Sequence, residues 1–265
     1  MYKFKDLVNS YRDIGITKGS IISLKTDLLL LGGYEKNKKR EILTDHLNAI
    51  DKVINLDKGT VVVQSASTSL CNTETPYNYI DTPSETGVLT EFIRGKTESI
   101  RSYHAFESYA ALGRHSDEIC NNVTRHSYGV DTPEYRMIEM GAKCVSLGIK
   151  PRKSCSTVHH VEAMVGVPYR YVKEYNHPVE HNGIVKKEQF YRYVWYQNCG
   201  IKRNYNKKLF RQMLQNGFYT SKVKIGSGYI YAYNMKEFYK YASDCFKEDM
   251  YIWLDKIPDK KPWLE

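Results

Sequence analysis

The fold class this sequence predicts is α/β: a single integrated domain over residues 1–265, with a central mixed sheet flanked by helices. Up to about residue 168, short aliphatic or β-branched runs alternate with stretches whose apolar residues recur at helical spacing, the pattern of strands joined by crossover helices. Beyond that point Tyr-Arg-Tyr-Val-Lys and Phe190-Tyr191-Arg192-Tyr193-Val194-Trp195-Tyr196 alternate in the manner of half-exposed antiparallel strands. No internal repeat, low-complexity linker or proline-rich hinge divides the chain.

The elements follow in order. Phe4, Leu7, Val8 and Tyr11 lie at helical spacing, which predicts a helix over residues 1–19 ending at Gly19. SIISL then starts a buried strand that gives way to a loop at Lys25-Thr26-Asp27. Ile42, Leu47, Ile50 and Val53 mark a helix over Glu41–Val53. Gly59-Thr60-Val61-Val62-Val63, β-branched and opened by glycine, is the clearest strand. Thr132–Met140 reads as a helix and Lys143–Leu147 as a strand closed by Gly148, while Asn234–Phe246 is again an amphipathic helix.

Composition narrows the class of function. Hydrophobic residues are 42% and charged residues 26% of the chain, which excludes a disordered chain, a collagen-like fibre and a coiled coil. The longest purely aliphatic run is Leu28–Leu31, far short of the roughly 20 residues of a membrane span. The first residues, MYKFKDLVNSYRDIGI, mix charges into an amphipathic pattern unlike a signal peptide, so a cytoplasmic protein is expected. The formal charge of +9 favours anionic partners. From Lys186 to Lys224 there are ten basic residues and one acidic residue. With the 23 tyrosines, that makes segment 186–233 an alternative nucleic-acid surface, although no recognised RNA- or DNA-binding motif accompanies it. The six cysteines contain no C-x-x-C pair, so free thiols and no metal are expected.

Standard nucleotide cradles and the G-x-S-x-G elbow are missing. Two stretches carry candidate chemistry. In Ser154–Glu162 a helix is expected, with Ser156 or Thr157 as its cap. His159 and Glu162, three residues apart, then share a face. A neutral imidazole beside a carboxylate is a general base for an amine or alcohol; the same pair could equally cap or pack a helix. In Arg101-Ser102-Tyr103-His104-Ala105-Phe106-Glu107-Ser108, the hydroxyls could serve an oxyanion and Arg101 a phosphate. The alternative is a polar loop satisfying its own backbone.

Taken in order, these pieces resemble the aminoglycoside 3-N-acetyltransferase, or antibiotic N-acetyltransferase, family. The series starts at Ile21–Gly32 and the Gly59-Thr60 turn into Val61–Ser67. It continues through Thr82-Pro83-Ser84, Gly87, Glu91 and Arg94 to Arg101-Ser102, His104, Ser108 and Ala110-Ala111-Leu112-Gly113. Tyr128-Gly129, Met140-Gly141, Leu147-Gly148 and the His159/Glu162 pair complete it.

The resemblance implies an α/β fold unrelated to Gcn5-type acetyltransferases, and the chain lacks their Q/R-x-x-G-x-G/A pyrophosphate loop. It implies direct acetyl transfer from acetyl-CoA to a sugar amine, with His159 as general base and Glu162 orienting it or holding the amine. Lys25, Thr26, Asp27, Ser65, Ser67, Arg101, His104 and Ser108 would contact acetyl-CoA. Glu91 and Tyr128 would meet the substrate, with the antiparallel part beyond residue 168 facing it. Partners are then CoA and an amino sugar rather than nucleic acid; the oligomeric state is open, a homodimer being one candidate. The chain departs from the family at Lys25-Thr26-Asp27, where many members carry a histidine and serines. It departs again at Ala105 and after Val63, where proline is usual. A charge of +9 would repel a polycationic drug. A nucleotide-linked amino sugar is therefore the expected substrate, with an aminoglycoside as the alternative.

Overall fold

The structure, a computed structural model, describes residues 1–203, 209, 211, 215 and 221–264. Its elements are helices α1 (Phe4–Asp13), α2 (Lys39–Ile54), α3 (Val88–Arg94), α4 (Ser116–Cys120), α5 (Pro133–Glu139), α6 (Pro151–Ser154), α7 (Thr157–Val165) and α8 (Met235–Glu248). The strands are β1 (Ile21–Thr26), β2 (Thr60–Gln64), β3 (Tyr77–Asn78), β4 (Ile100–Arg101), β5 (Tyr109–Gly113), β6 (Lys143–Leu147), β7 (Arg170–His181), β8 (Ile184–Trp195), β9 (Ser221–Ile225) and β10 (Gly228–Asn234).

A seven-stranded mixed sheet runs in the order β4-β5-β2-β1-β6-β10-β9. Its centre, β2-β1-β6, is parallel and the outer pairs are antiparallel. Because side chains alternate along a strand, each strand feeds two cores. Val61, Val63, Ala110, Leu112, Val145 and Leu147 pack with Leu7, Tyr11, Leu47, Ile50 and Ile93 of α1, α2 and α3. Val62, Tyr109, Ala111 and Cys144 pack instead with Met137, Val158, Val161, Phe238 and Phe246 of α5, α7 and α8. This is the expected mixed sheet with helices on both faces. A second sheet, β3-β7-β8, is built on a long antiparallel hairpin. It covers a smaller core of Tyr77, Phe106, Val179 and Phe190.

Several boundaries differ from the sequence reading. The first helix stops at Asp13 instead of Gly19, because Gly15 enters a left-handed turn at φ +81°. Lys25 and Thr26 are strand rather than loop: they pair with Ser146 and Leu147 of β6, which prolongs β1 to the sheet's carboxyl edge. Only Asp27 leaves the ladder. Asn234 caps α8, accepting from the N–H groups of Lys236 and Glu237. The basic segment 186–233 supplies β8, β9 and β10; its residues 204–208, 210, 212–214 and 216–220 lie outside the described residues. Among the described residues no helix is long and apolar enough to cross a membrane, and all six cysteines are free thiols.

The ends of β1 and β6 are locked together where the candidate site opens. Asp27 N–H donates to the Leu147 carbonyl at 2.9 Å. Gly148, at φ +83°, has no room for a Cβ, which would fall 2.1 Å from the Asp27 carbonyl oxygen. Gly148→Ala should therefore cost about 3 kcal/mol, from steric overlap added to the strain of a positive φ. Gly166→Ala, at φ +74° with nothing within 4 Å, should cost only about 1 kcal/mol. Urea denaturation of both variants checks this, and equal losses would show that the close approach carries no weight.

Candidate active site

A cavity of about 420 Å³ opens at the carboxyl edge of the parallel strands, lined by Lys25 and Thr26 of β1 and Gln64 of β2. In open α/β sheets that edge is where ligands bind. His159 of α7 stands in its wall. What sets α7 there is a carboxylate from another helix. Glu134 of α5 is fully buried and accepts from Tyr109 Oη (2.7 Å), Ser156 Oγ (3.1 Å) and Thr157 Oγ1 (2.8 Å). The hydroxyls of Ser156 and Thr157, expected to cap the helix, are thus directed to Glu134, and Ser156 makes no side-chain cap. A negative group close to the start of a helix is also favourable to its dipole.

One turn further on, His159 Nδ1 lies 2.8 Å from Glu162 Oε2. Glu162 is wholly buried and accepts in addition from Tyr169 Oη at 2.8 Å and from Arg170 Nη2 at 2.9 Å. Burial pushes the Glu162 carboxyl up, but Arg170 and the hydrogen bonds from His159 and Tyr169 outweigh it, holding the group below the usual carboxylate range. Nδ1 also lies 3.0 Å from Arg170 Nη2, but the shorter contact to an ionised carboxylate, together with the Arg203 Nη2 donor 3.0 Å from Nε2, assigns the imidazole proton to Nδ1 and the lone pair to Nε2. Burial lowers the His159 pKa, as do Arg170 and Arg203, while Glu162 opposes them; the net displacement is downward. A neutral ring at neutral pH follows. Glu162 is the carboxylate partner of His159.

The remaining expected residues divide sharply. Lys25, Thr26 and Tyr128 line the cavity with His159, the Tyr128 ring centroid standing 5.7 Å from the imidazole. Asp27 turns out of the strand and is not in the wall. Arg101 is buried and donates to Ser108 Oγ and to the carbonyls of Tyr79, Thr82 and Ser65. Its guanidinium therefore ties loops together through backbone carbonyls and does not line the cavity. Ser65 and Ser108 bond each other at 2.9 Å, and Ser67 donates to the Ala105 carbonyl. His104 Nδ1 accepts from the N–H groups of Phe106 and Glu107; burial lowers its pKa to about 4. These five side chains lie outside the cavity wall, with hydrogen bonds to other groups of the protein. Glu91 forms a two-bond pair with Arg94 and accepts from Ser84 N–H, away from the cavity wall.

A family model described as aminoglycoside 3-N-acetyltransferase matches residues 45–247, most of the chain. The chain belongs to the aminoglycoside 3-N-acetyltransferase family. It is 25% identical over 194 residues to aminoglycoside N(3)-acetyltransferase IX of Micromonospora chalcea, which covers 64% of this chain and 65% of that protein. To aminoglycoside N(3)-acetyltransferase VII of Streptomyces paromomycinus it is 30% identical over 94 residues, 35% of this chain and 32% of that protein. The matched stretches span less than two thirds of either relative. Among solved structures, the YokD protein of Bacillus subtilis shares the fold at TM-score 0.76 and 19% identity, over 94% of this chain and all of that one. The binary complex of AAC-IIIb with CoASH does so at TM-score 0.77 and 16% identity, over 97% and 99%.

Within this aminoglycoside 3-N-acetyltransferase fold, four contributors to the site escaped sequence reading. Glu134 looks like an ordinary first-turn acid of α5. Arg170 opens β7. Glu107, lining the cavity, pairs with Arg192 of β8 at 2.6 Å. Arg203, also in the wall, has Nη2 3.0 Å from His159 Nε2. Their partners lie 8 to 85 residues away in sequence, so no local spacing announces them. Glu134→Ala should leave three hydroxyls without their acceptor and lower stability by about 3 kcal/mol. Urea denaturation combined with an acetyl-CoA binding isotherm checks it; a loss below about 1 kcal/mol would remove Glu134 from the account.

Proposed function

We propose that this chain is an acetyl-CoA-dependent N-acetyltransferase acting on an amine of an amino sugar, with His159 as general base. The observation that carries the reading is the Glu162–His159 pair at 2.8 Å in the wall of the cavity. The acceptor's ammonium loses one proton to solvent; the amine nitrogen then bonds to the thioester carbonyl carbon while its next proton passes to Nε2. The C–S bond breaks as the tetrahedral adduct collapses, and the proton held on His159 goes to the departing sulfur. His159, wedged by Glu162 and Arg170, is set for this because its lowered pKa leaves it neutral and ready to accept.

Cationic groups suited to the phosphates of CoA line the same cavity: Lys25, Arg152 and Lys153. Arg152 Nε is buried there without a hydrogen-bond partner, a donor that an anionic ligand would satisfy. One structural neighbour is a binary complex with CoASH, which supports the same co-substrate here.

For the acceptor, the curated relatives are named N(3)-acetyltransferases of aminoglycosides. Two neighbours of the same fold hold a gentamicin and sisomicin, respectively. These support an aminoglycoside-type amino sugar more directly than the nucleotide-linked one expected from net charge. One observation favours the second reading: of the described residues lining the cavity, four are Lys or Arg and one, Glu107, is acidic.

Release of free CoA thiol, measured with sisomicin and with nucleotide-linked amino sugars in parallel, tests the activity; no release with any amine would refute it. His159→Ala should lower kcat by roughly 10³-fold, with acetyl-CoA binding and a cooperative urea transition retained. His104→Ala, whose imidazole holds a loop, should lower the urea midpoint and change kcat less than about tenfold. Near-normal turnover by His159→Ala would exclude it as the base.

A further inference from the structure

The base is covered. Glu162 fixes the imidazole proton at Nδ1, so the lone pair that must receive the acceptor's proton is on Nε2, and Arg203 Nη2 sits 3.0 Å from that nitrogen. The Arg203 guanidinium is stationed there by two indoles, with the rings of Trp195 and Trp253 each 5.7 Å from its carbon. Its backbone is bridged to Leu254. No acceptor amine reaches Nε2 until this cation gives way.

Resting on the N-acetyltransferase reading above, we infer that Arg203 determines specificity, admitting an amino sugar that carries a phosphate and disfavouring a polycationic one. A phosphate on the acceptor offers the guanidinium two parallel charge-assisted hydrogen bonds. Those bonds draw it off Nε2 and hold the acceptor beside the base in one movement. A second ammonium on the acceptor does the reverse: it adds like charge next to a cation in a site screened little by solvent. CoA cannot supply this phosphate, because the pantetheine arm keeps its pyrophosphate many bonds from the thioester that must lie at His159. Lys25, Arg152 and Lys153 remain for the CoA phosphates. Glu107 is neutralised by Arg192 at 2.6 Å, so the described wall offers a polycation little compensation.

The test compares the intact protein with Arg203→Gln and Arg203→Lys on four acceptors: glucosamine, glucosamine phosphate, UDP-linked glucosamine and sisomicin. Wild type should favour the phosphate-bearing acceptors over glucosamine by about 100-fold in kcat/KM, largely through KM. Arg203→Gln should reduce that preference to below about tenfold and raise kcat/KM for glucosamine itself several-fold, since Nε2 is uncovered. Arg203→Lys should fall between, keeping the charge and losing the fork. Response to glucosamine phosphate as well as the UDP sugar would place the recognition in one phosphate; response to the UDP sugar alone would place it in the diphosphate. A wild-type preference for sisomicin, or an equal loss on all acceptors in Arg203→Gln, would overturn the inference. Calorimetric binding of glucosamine phosphate separates this from the reading beneath it. Should no acceptor be acetylated, the acetyltransferase reading fails. Binding weakened at least tenfold by Arg203→Gln would still support the anion-receiving role, and unchanged binding would overturn it.

Discussion

Glu162 is a carboxylate with no exposure to solvent, and the elements around the site are arranged to make that tolerable. An ionised group buried alone is prohibitive; paired and fully hydrogen-bonded it becomes an anchor. The partners arrive from different places: His159 from the same helix, and Tyr169 and Arg170 from the entry to the long hairpin. Tyr193 of the returning strand donates to the Glu162 carbonyl. One carboxylate thus fastens α7 of the main sheet's helical layer to the second sheet. In the same act it sets the tautomer of His159.

A second buried carboxylate, Glu134, fixes the other end of the same helix through three hydroxyls. Between them the two acids define where α7 starts and which way its His159 faces. The cost of desolvating two carboxylates is met by specific donors rather than by water, which favours one packing of α5, α7 and β7 over alternatives. Lys25 and Thr26, at the carboxyl edge of β1 that Gly148 closes against Asp27, line the cavity with His159, and its charged lining, among the described residues, is mainly cationic.

Much of this was legible in the sequence. The strand over Lys143–Leu147 coincides with β6, because a short apolar run ending in glycine has few other uses. His159 and Glu162 were legible since three residues on a helix is a fixed distance. Position relative to solvent was not. Ser65, Ser67, Arg101, His104 and Ser108 have the chemistry of a binding loop, yet their donors and acceptors are used inside the protein. A linear pattern of hydroxyls cannot say which way they point. Arg170, Arg203 and Glu107 were invisible for the converse reason: each is an ordinary charged residue until the hairpin and the segment after it bring it to the site. The overall charge of +9 was a diffuse clue, and it becomes specific only where a guanidinium touches His159.

His159 is proposed to act as a neutral base with its proton on Nδ1 and its lone pair on Nε2. Nitrogen-15 NMR of the imidazole, assigned by the signal lost in His159→Gln and followed against pH, measures both properties at once. The Nδ1–H tautomer is expected at neutral pH, with a midpoint below the ordinary histidine value of about 6.5, displaced downward chiefly by burial. A midpoint above that value, or an Nε2–H tautomer, would contradict it.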